Sequence, residues 1–107
     1  MKKLFVTGIG TDVGKTVVAA VLTEALQADY WKPVQSGDLH NSDTMKVQRL
    51  IGNAQTKFHP EGYALTEPSS PHASAAIDGI TIDPAQLVPP VTSNTLVIEG
   101  AGGLLVP

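Results

Sequence analysis

A glycine-rich segment near the start of the chain has the composition of a phosphate-binding loop. Residues 8–16 read GIGTDVGKT and lie between an apolar run and a stretch with helical periodicity, which is the context that such a loop requires. Glycines let successive backbone N–H groups approach an anion, and the N-terminus of the following helix adds partial positive charge. Lys15 can reach terminal phosphate oxygens, and the Thr16 hydroxyl can coordinate Mg²⁺. The segment predicts binding of a nucleoside triphosphate.

This loop is one residue longer than the common pattern, because five residues rather than four separate Gly8 from Gly14. No lysine occurs at positions 10–13, which disfavours the switch ATPases that carry an extra lysine early in the loop. A strand-to-helix turn that binds nothing is the alternative interpretation. The residues predicted to bind the nucleotide belong to the loop and the first helical turn: Gly8, Gly10, Thr11, Asp12, Val13, Gly14, Lys15, Thr16 and Val17.

Two carboxylates stand where predicted elements begin or end. Glu99 directly follows an apolar strand at 95–98, and Asp43 lies at the head of a predicted helix. A buried carboxylate at a strand end is costly unless it is paired, so a metal ion is a natural partner for Glu99, although a surface position is the alternative. Asp43 either reaches the same metal or only caps its helix. Residues 100–103 form either a second set of inward-facing N–H groups or a tight turn.

A second lysine, Lys32, ends the next predicted strand. The carboxyl ends of parallel strands face the ligand crevice, so its ammonium group would lie beside the phosphates. There it could stabilise negative charge on a transferring phosphoryl group or on an anionic nucleophile. A solvated lysine is the alternative. The neighbouring Tyr30 and Trp31 are expected to pack in the core.

The strands that must position these residues are predicted at 4–7, 29–32 and 95–98, each an apolar or aromatic run bounded by glycine, proline or polar residues. The first two enclose a helix, which makes a βαβ unit with a parallel sheet and a right-handed crossover. The segments 34–41 and 54–70 show no clear period and are expected to be loops.

Helices are predicted from residue 15, from about residue 44 with Asn41, Ser42 or Asp43 as its cap, over 71–77, and from residue 83. The second of them is expected to end at Gly52. The apolar residues predicted to pack inward from the first two helices are Val17, Val21, Leu22, Ala25 and Leu26, and then Met45, Leu50 and Ile51.

The composition is that of one small globular domain, with 107 residues, 42% hydrophobic, 16% charged and a net charge of −3. Only seven residues are basic, so no nucleic-acid partner is expected. The absence of cysteine excludes disulfides, thiolate metal sites and a cysteine nucleophile, and the three histidines lack metal-ligand spacing. No apolar run approaches the ~18 residues that cross a bilayer, and a soluble, cytoplasmic protein without membrane contact is expected.

Taken together, five segments resemble the dethiobiotin synthetase family, the ATP-dependent ring-closing enzymes of biotin synthesis. They are residues 5–16, 32–37 (KPVQSG), 41–43 (NSD), 67–72 (EPSSPH) and 97–103 (VIEGAGG). The longer phosphate loop is itself a feature of this family, and the segments span nearly the whole chain. The resemblance implies an α/β P-loop NTPase fold, a parallel sheet flanked by helices. Residues 1–107 would be a single domain and only the N-terminal half of that fold.

The resemblance implies a role for each matching residue. The residues that match the family's Mg²⁺ ligands are Thr16, Asp43 and Glu99. Lys15 matches the lysine that contacts the triphosphate and a carbamate, and Thr11 lies in the same pocket. Lys32 and Ser36 match residues that hold the carbamate and the transferring phosphoryl group. The residues that match segments beside the diamine substrate are Pro71, Gly100, Ala101, Gly102 and Gly103.

The implied reaction joins 7,8-diaminononanoate and CO₂, at the expense of ATP and with Mg²⁺, to give dethiobiotin, ADP and phosphate in a homodimeric enzyme. Three departures from the family stand out: Gly10 where aspartate is frequent, Asp12 where glutamate is frequent, and a short loop between Ser36 and Asp43. Three alternatives stay open. They are a partner-regulated ATPase of the same fold, an amide-forming ligase that would need a glutamine-hydrolysing domain, and a catalytically incomplete fragment.

Overall fold

The computed structural model describes residues 2–7, 14–66, 75–83, 85 and 87–100, which contain six strands and two α-helices of eight or more residues. The strands are β1 (Lys3–Val6), β2 (Asp29–Trp31), β3 (Val34–Ser36), β4 (Phe58–His59), β5 (Tyr63–Leu65) and β6 (Leu96–Glu99). The helices are α1 (Gly14–Leu26) and α2 (Asp43–Leu50), with a 3₁₀ turn at Leu39–Asn41 between β3 and α2.

The main sheet has four parallel strands in the order β1-β6-β2-β4. The predicted strands at 4–7, 29–32 and 95–98 are confirmed to within one residue, and the parallel direction predicted for the first two is confirmed as well. β6 lies between β1 and β2, with Val97 opposite both Leu4 and Tyr30. Because these strands run the same way, their carboxyl ends meet at one edge.

The prediction of a buried first strand is only partly right. Val6 is buried, but Phe5 is 62% exposed. The reason is that successive side chains of a strand point to opposite faces of the sheet. Val6 points to the face that packs on Ala19 and Ala20 of α1, whereas Phe5 points to the other face.

The prediction of the inward face of α1 is mostly wrong, because Leu22 is the one residue of the predicted set that packs against the core. Val17, Val21 and Leu26 are exposed, and Val21 is 61% exposed. The residues of α1 that are buried are Lys15, Thr16, Ala19, Ala20 and Thr23. Small side chains let α1 approach the sheet, where Ala19 and Ala20 join a core with Val6, Tyr30 and Val97. The buried face of α1 is therefore the one whose small side chains let the helix backbone come close to the sheet, and not the one with the most large apolar residues.

Helix α2 begins where the sequence predicts, and its cap is Ser42, whose Oγ accepts a hydrogen bond of 3.2 Å from Met45 N. The predicted inward face is right for Ile51, which packs against the core. It is wrong for Met45 and Leu50, which are exposed, and the buried apolar residue of the helix is Val47. Val47 packs into the same core as α1. The helix ends at Leu50, before the predicted stop at Gly52.

Both segments expected to be loops contain strands. β3 and β5 form a separate two-stranded parallel sheet, with Gln35 opposite Ala64, and β4 pairs with β2 at the edge of the main sheet. These strands have two or three residues each, too few to show a hydrophobic period. A second core forms around Val34, Leu65 and Ala75.

The predicted helix over 71–77 is described only in part: residues 75–77 are helical and 71–74 lie outside the described residues. At the predicted helix start near residue 83, Asp83 Oδ1 accepts a hydrogen bond of 3.0 Å from Ala85 N. Of the helices within the described residues, none has the length and apolar character to cross a membrane.

Candidate active site

Side chains from four elements meet at the carboxyl edge of the main sheet. Lys15 and Thr16 lie in the first turn of α1, Lys32 follows β2, Asp43 opens α2 and Glu99 ends β6. The arrangement follows from topology, because parallel strands end at one edge and each following helix starts there. The structure therefore brings together the two lysines, the threonine and the two carboxylates that the sequence singled out.

Lys32 lies at the centre of this group. Its Nζ is 2.6 Å from Asp43 Oδ2 and 3.4 Å from Glu99 Oε2, and it also donates to Gly100 O at 3.4 Å. Lys32 is only 3% exposed, which rules out the solvated-lysine alternative. One buried ammonium group thus holds two carboxylates that come from different elements, and its charge compensates part of theirs.

Glu99 is fully buried, with 0% of its surface exposed, so the alternative of a surface glutamate is wrong. Oε1 accepts a hydrogen bond of 2.7 Å from the Tyr30 hydroxyl, and Oε2 accepts one of 3.0 Å from Thr16 Oγ1. Burial raises the pKa of Glu99 above its ordinary range, while the Lys32 ammonium and the Tyr30 hydroxyl act in the opposite direction. The hydroxyl groups of Tyr30 and Thr16 thus donate hydrogen bonds to the two carboxylate oxygens of Glu99, one to each.

Asp43 is the first residue of α2 and not its cap, since Ser42 caps the helix. Its side chain is thus available to Lys32, and its Oδ1 also lies 3.7 Å from Lys46 Nζ. Burial opposes ionisation of Asp43, but the hydrogen bond and charge of Lys32 outweigh it, and the pKa of Asp43 is lowered. Gln35 fixes this helix start, because its Oε1 accepts from Asp43 N at 3.1 Å.

Lys15 and Lys32 both approach the backbone carbonyl oxygen of Gly100. Lys15 is buried, and its Nζ lies 3.5 Å from Gly100 O. Gly100 N donates to Val6 O at 3.0 Å. This N–H therefore extends the β1–β6 pairing, contrary to the expectation that it faces an anion. Gly100 takes part in the site through its carbonyl oxygen, which both lysines approach.

Ser36 ends β3, which belongs to the two-stranded sheet. Its Oγ is buried and has no hydrogen-bond partner in the described part of the chain, and the same holds for Thr44 Oγ1. A buried hydroxyl without a partner is unfavourable by about 1–3 kcal/mol. Val17 is exposed on α1. The other predicted site residues, which are Gly8, Gly10, Thr11, Asp12, Val13, Pro71, Ala101, Gly102 and Gly103, lie outside the described residues.

The sequence interpretation missed the contribution of Tyr30. Tyr30 packs in the core as expected, with Phe58 beside its ring at a centroid distance of 6.0 Å. Its hydroxyl nevertheless reaches Glu99, and burial and that carboxylate raise the pKa of Tyr30 well above its ordinary value of 10.0. One signal was present: Tyr30 is two residues before Lys32, so both side chains lie on the same face of their strand.

A second polar cluster lies around the start of β2. Asp29 is buried, and its Oδ2 accepts from Thr92 Oγ1 at 2.7 Å and lies 2.8 Å from His59 Nε2. Asn94 Nδ2 donates to Oδ1 at 3.1 Å. Asp29 therefore links β2, β4 and the segment that leads into β6, at the opposite edge of the sheet from Lys32.

Comparisons with known proteins show which family and which relatives the chain is similar to. The family model described as "AAA domain" matches residues 2–107. Three curated relatives, each named ATP-dependent dethiobiotin synthetase BioD, come from Christiangramia forsetii, Agrobacterium fabrum and Rhodopseudomonas palustris. Their identities to this chain are 57% over 106 residues, 53% over 105 and 55% over 104. The resemblance to dethiobiotin synthetases drawn from the five sequence segments is confirmed.

The matches cover nearly all of this chain but only part of the relatives. They take in 99%, 98% and 97% of the chain, and 51%, 50% and 49% of the respective relatives. The chain thus spans about half the length of the curated relatives it matches.

Proposed function

The chain belongs to the AAA domain family, and on that premise we propose that the protein carrying it is a dethiobiotin synthetase that uses ATP and Mg²⁺. The α/β P-loop fold expected from the sequence is confirmed by this family match and by the parallel sheet with its helices. The proposed reaction closes a ureido ring on 7,8-diaminononanoate with CO₂, releasing ADP and phosphate.

The observation that carries this proposal is the buried Lys32 ammonium group between Asp43 and Glu99, beside the first turn of α1. A domain that only binds a nucleotide needs the phosphate loop, whereas this site adds a second buried cation at the sheet edge where the γ-phosphate would lie. Such a cation suits a reaction in which negative charge develops on a transferring phosphoryl group.

The donor set at this edge fits Mg²⁺. Thr16, Asp43 and Glu99 supply only oxygen, and hard oxygen ligands are what Mg²⁺ prefers. Within the described residues, no three histidine, cysteine, aspartate or glutamate side chains form a metal-binding group. Two carboxylates are still sufficient, because protein-bound Mg²⁺ usually takes its remaining ligands from phosphates and water. When bound, the ion would neutralise charge on the triphosphate.

The proposed chemistry needs positioning and charge compensation more than covalent help from the protein. One amine of the substrate takes up CO₂ as a carbamate and loses a proton. A carbamate oxygen attacks the γ-phosphorus of ATP and ADP leaves, giving a mixed anhydride. The second amine then attacks the carbamate carbon and gives up a proton, phosphate leaves with the C–O bond electrons and can take that proton, and the ring closes. Lys15 and Lys32 would hold the anions in line.

Ser36 is proposed as a further contact for the carbamate or the phosphoryl group. Its support is the buried Oγ, which has no partner in the described part of the chain and could gain one from a bound anion. Thr11, Pro71 and the turn at 100–103 keep their proposed roles in the nucleotide and diamine sites. A homodimer and a cytoplasmic location are proposed on the same resemblance.

The test is a reaction of the full-length protein with Mg²⁺, ATP, 7,8-diaminononanoate and ¹³C-labelled bicarbonate, followed by mass spectrometry. Labelled dethiobiotin together with an equal amount of phosphate supports the proposal. The matched variants are Lys32→Ala, which should lose product, and Lys57→Ala, an exposed lysine outside the site, which should not.

Two results would contradict the proposal. ATP hydrolysis that proceeds at the same rate with and without the diamine, and gives no labelled product, would favour the partner-regulated ATPase. Full product formation by Lys32→Ala would show that the buried ammonium group is not part of the reaction.

A further inference from the structure

Tyr30 reaches the candidate active site from inside the core. In the parallel pairing of β2 and β6, Tyr30 lies opposite Val97, and Glu99 is two residues further along the same face. That offset is roughly 6.6 Å along a strand, about the reach of a tyrosine side chain that lies along the sheet. The hydroxyl accordingly meets Glu99 Oε1 at 2.7 Å.

The ring of Tyr30 is held on both sides. Tyr30 has 0% exposed surface, Val97 packs in the same core, and Phe58 lies opposite it on β4 with a centroid distance of 6.0 Å. A side chain packed in this way has little freedom to change rotamer. Its hydroxyl is therefore a fixed donor rather than one that swings to follow Glu99.

The two oxygens of Glu99 have different surroundings as a result. Oε1 is turned toward the core and takes the Tyr30 hydroxyl, whereas Oε2 takes Thr16 Oγ1 at 3.0 Å and Lys32 Nζ at 3.4 Å. Thr16 lies in the first turn of α1, and Lys32 pairs with Asp43. The oxygen that faces the other proposed metal ligands is thus Oε2.

We propose that Tyr30 is a positioning residue for the metal: its hydroxyl anchors Oε1 of Glu99 so that Oε2 is the oxygen offered to Mg²⁺. The inference rests on the proposed function, in which Glu99 is a metal ligand. Hydrogen bonds from outside the ligand shell commonly orient the ligands of bound metals, and their loss typically weakens metal binding by about 10–100-fold.

The experiment measures ATP affinity of the full-length protein by calorimetry, once with Mg²⁺ and once with EDTA. Tyr30→Phe keeps the ring and removes the hydroxyl. We expect the gain in affinity that Mg²⁺ provides to fall by about tenfold or more, while affinity in EDTA stays within about twofold. Tyr63→Phe is the matched control, because its hydroxyl contacts Asp83 N outside the site, and it should leave both values unchanged.

Glu99→Gln separates failure of this inference from failure of the proposed function. If Glu99→Gln leaves the Mg²⁺-dependent gain intact, Glu99 is not a metal ligand, and both its proposed ligand role and this inference fail, while formation of labelled dethiobiotin still decides the proposed reaction. If Glu99→Gln removes the gain and a folded Tyr30→Phe retains it, the positioning role alone fails. In the double variant, Tyr30→Phe should add no loss beyond that of Glu99→Gln; a further loss would mean that Tyr30 acts by another route.

A measurement on the unsubstituted fold covers the case in which Tyr30→Phe does not fold. With 3-fluorotyrosine incorporated at position 30, the ¹⁹F resonance should shift when Mg²⁺ is added to the ATP-bound protein, because the bonded carboxylate changes its partner. The same label at position 63 should not respond. An unchanged resonance at position 30 would overturn the proposal.

Discussion

Thr16 Oγ1 donates a hydrogen bond of 3.0 Å to Glu99 Oε2, across 83 positions of sequence. This contact joins the first turn of α1 to the end of β6, so the helix that follows the predicted phosphate loop is tied directly to the buried carboxylate. Both residues are buried. Two of the three predicted metal ligands are therefore in direct contact.

Thr16→Val should abolish most of the effect of Mg²⁺ on ATP binding, because a metal ligand and the donor to Glu99 are lost together. We expect the Mg²⁺-dependent gain in affinity to fall by about 10–100-fold, measured by calorimetry with and without EDTA. Thr23→Val is the control, since it makes the same change in the same helix and, among the described residues, its hydroxyl donates to Ala19 O outside the site. An equal Mg²⁺-dependent gain in ATP affinity for Thr16→Val and Thr23→Val would contradict the prediction.

Lys32→Met should destabilise the fold as well as stop the reaction. It leaves Asp43 and Glu99 without their shared ammonium group, and removing one partner of a buried ion pair costs about 3–5 kcal/mol. Urea unfolding would measure the loss. The double variant Lys32→Met with Glu99→Gln should recover part of it, because one uncompensated charge is removed. If Lys32→Met alone is as stable as the parent protein, the ion pairs of Lys32 with Asp43 and Glu99 make no net contribution to the free energy of unfolding.

Protonation of Asp29 should lower the free energy of unfolding at acidic pH. Burial opposes its ionisation, but hydrogen bonds from His59, Thr92 and Asn94 hold the pKa of Asp29 below its ordinary value of 3.8. The ionised side chain therefore stabilises the fold above that value, and this contribution is lost as pH falls through the lowered pKa.

The measurement for Asp29 is the free energy of unfolding as a function of pH. Asp29→Asn should be less stable than the parent protein at neutral pH and should lose less stability on acidification. Asp38→Asn, at an exposed position, should follow the parent curve. An Asp29→Asn curve parallel to that of the parent at every pH would show that this carboxylate does not titrate as described.

The inward face of α1 can be tested by a pair of substitutions. Ala19→Leu should lower stability by about 1–3 kcal/mol, because Ala19 has no exposed surface and the helix would be pushed from the sheet. Val21→Ala should change stability by no more than about 0.5 kcal/mol, since Val21 is exposed. Thermal unfolding of both variants measures the two changes in stability. A large loss for Val21→Ala would mean that this face of α1 is covered in the full-length protein.

The parts of the site predicted correctly from the sequence depend on local signals. An apolar run that ends in a charged residue marks a strand end, which is why Lys32 and Glu99 could be expected in the crevice. A glycine-rich turn followed by lysine and threonine marks the start of α1. Ser42 was among the residues expected to cap α2, and its hydroxyl does so.

The parts predicted wrongly, or not predicted, depend on tertiary contacts. The large apolar residues of α1 indicated one face, but Ala19 and Ala20 are the residues that allow close packing on the sheet. The short strands β3, β4 and β5 exist because neighbouring strands pair with them, and so few residues show no period of their own.

By itself, the sequence determined the strands β1, β2 and β6, the start of helices α1 and α2, the family resemblance and which charged residues stand at strand ends, because each of these depends on adjacent residues. The tertiary structure alone decided which charges share a partner. Lys32 bridges two carboxylates and the Tyr30 hydroxyl reaches Glu99, and these contacts join positions that are far apart in the chain. The physical reason is that a buried polar group is stable only with a partner at hydrogen-bond distance, and that distance is set by the register of the sheet.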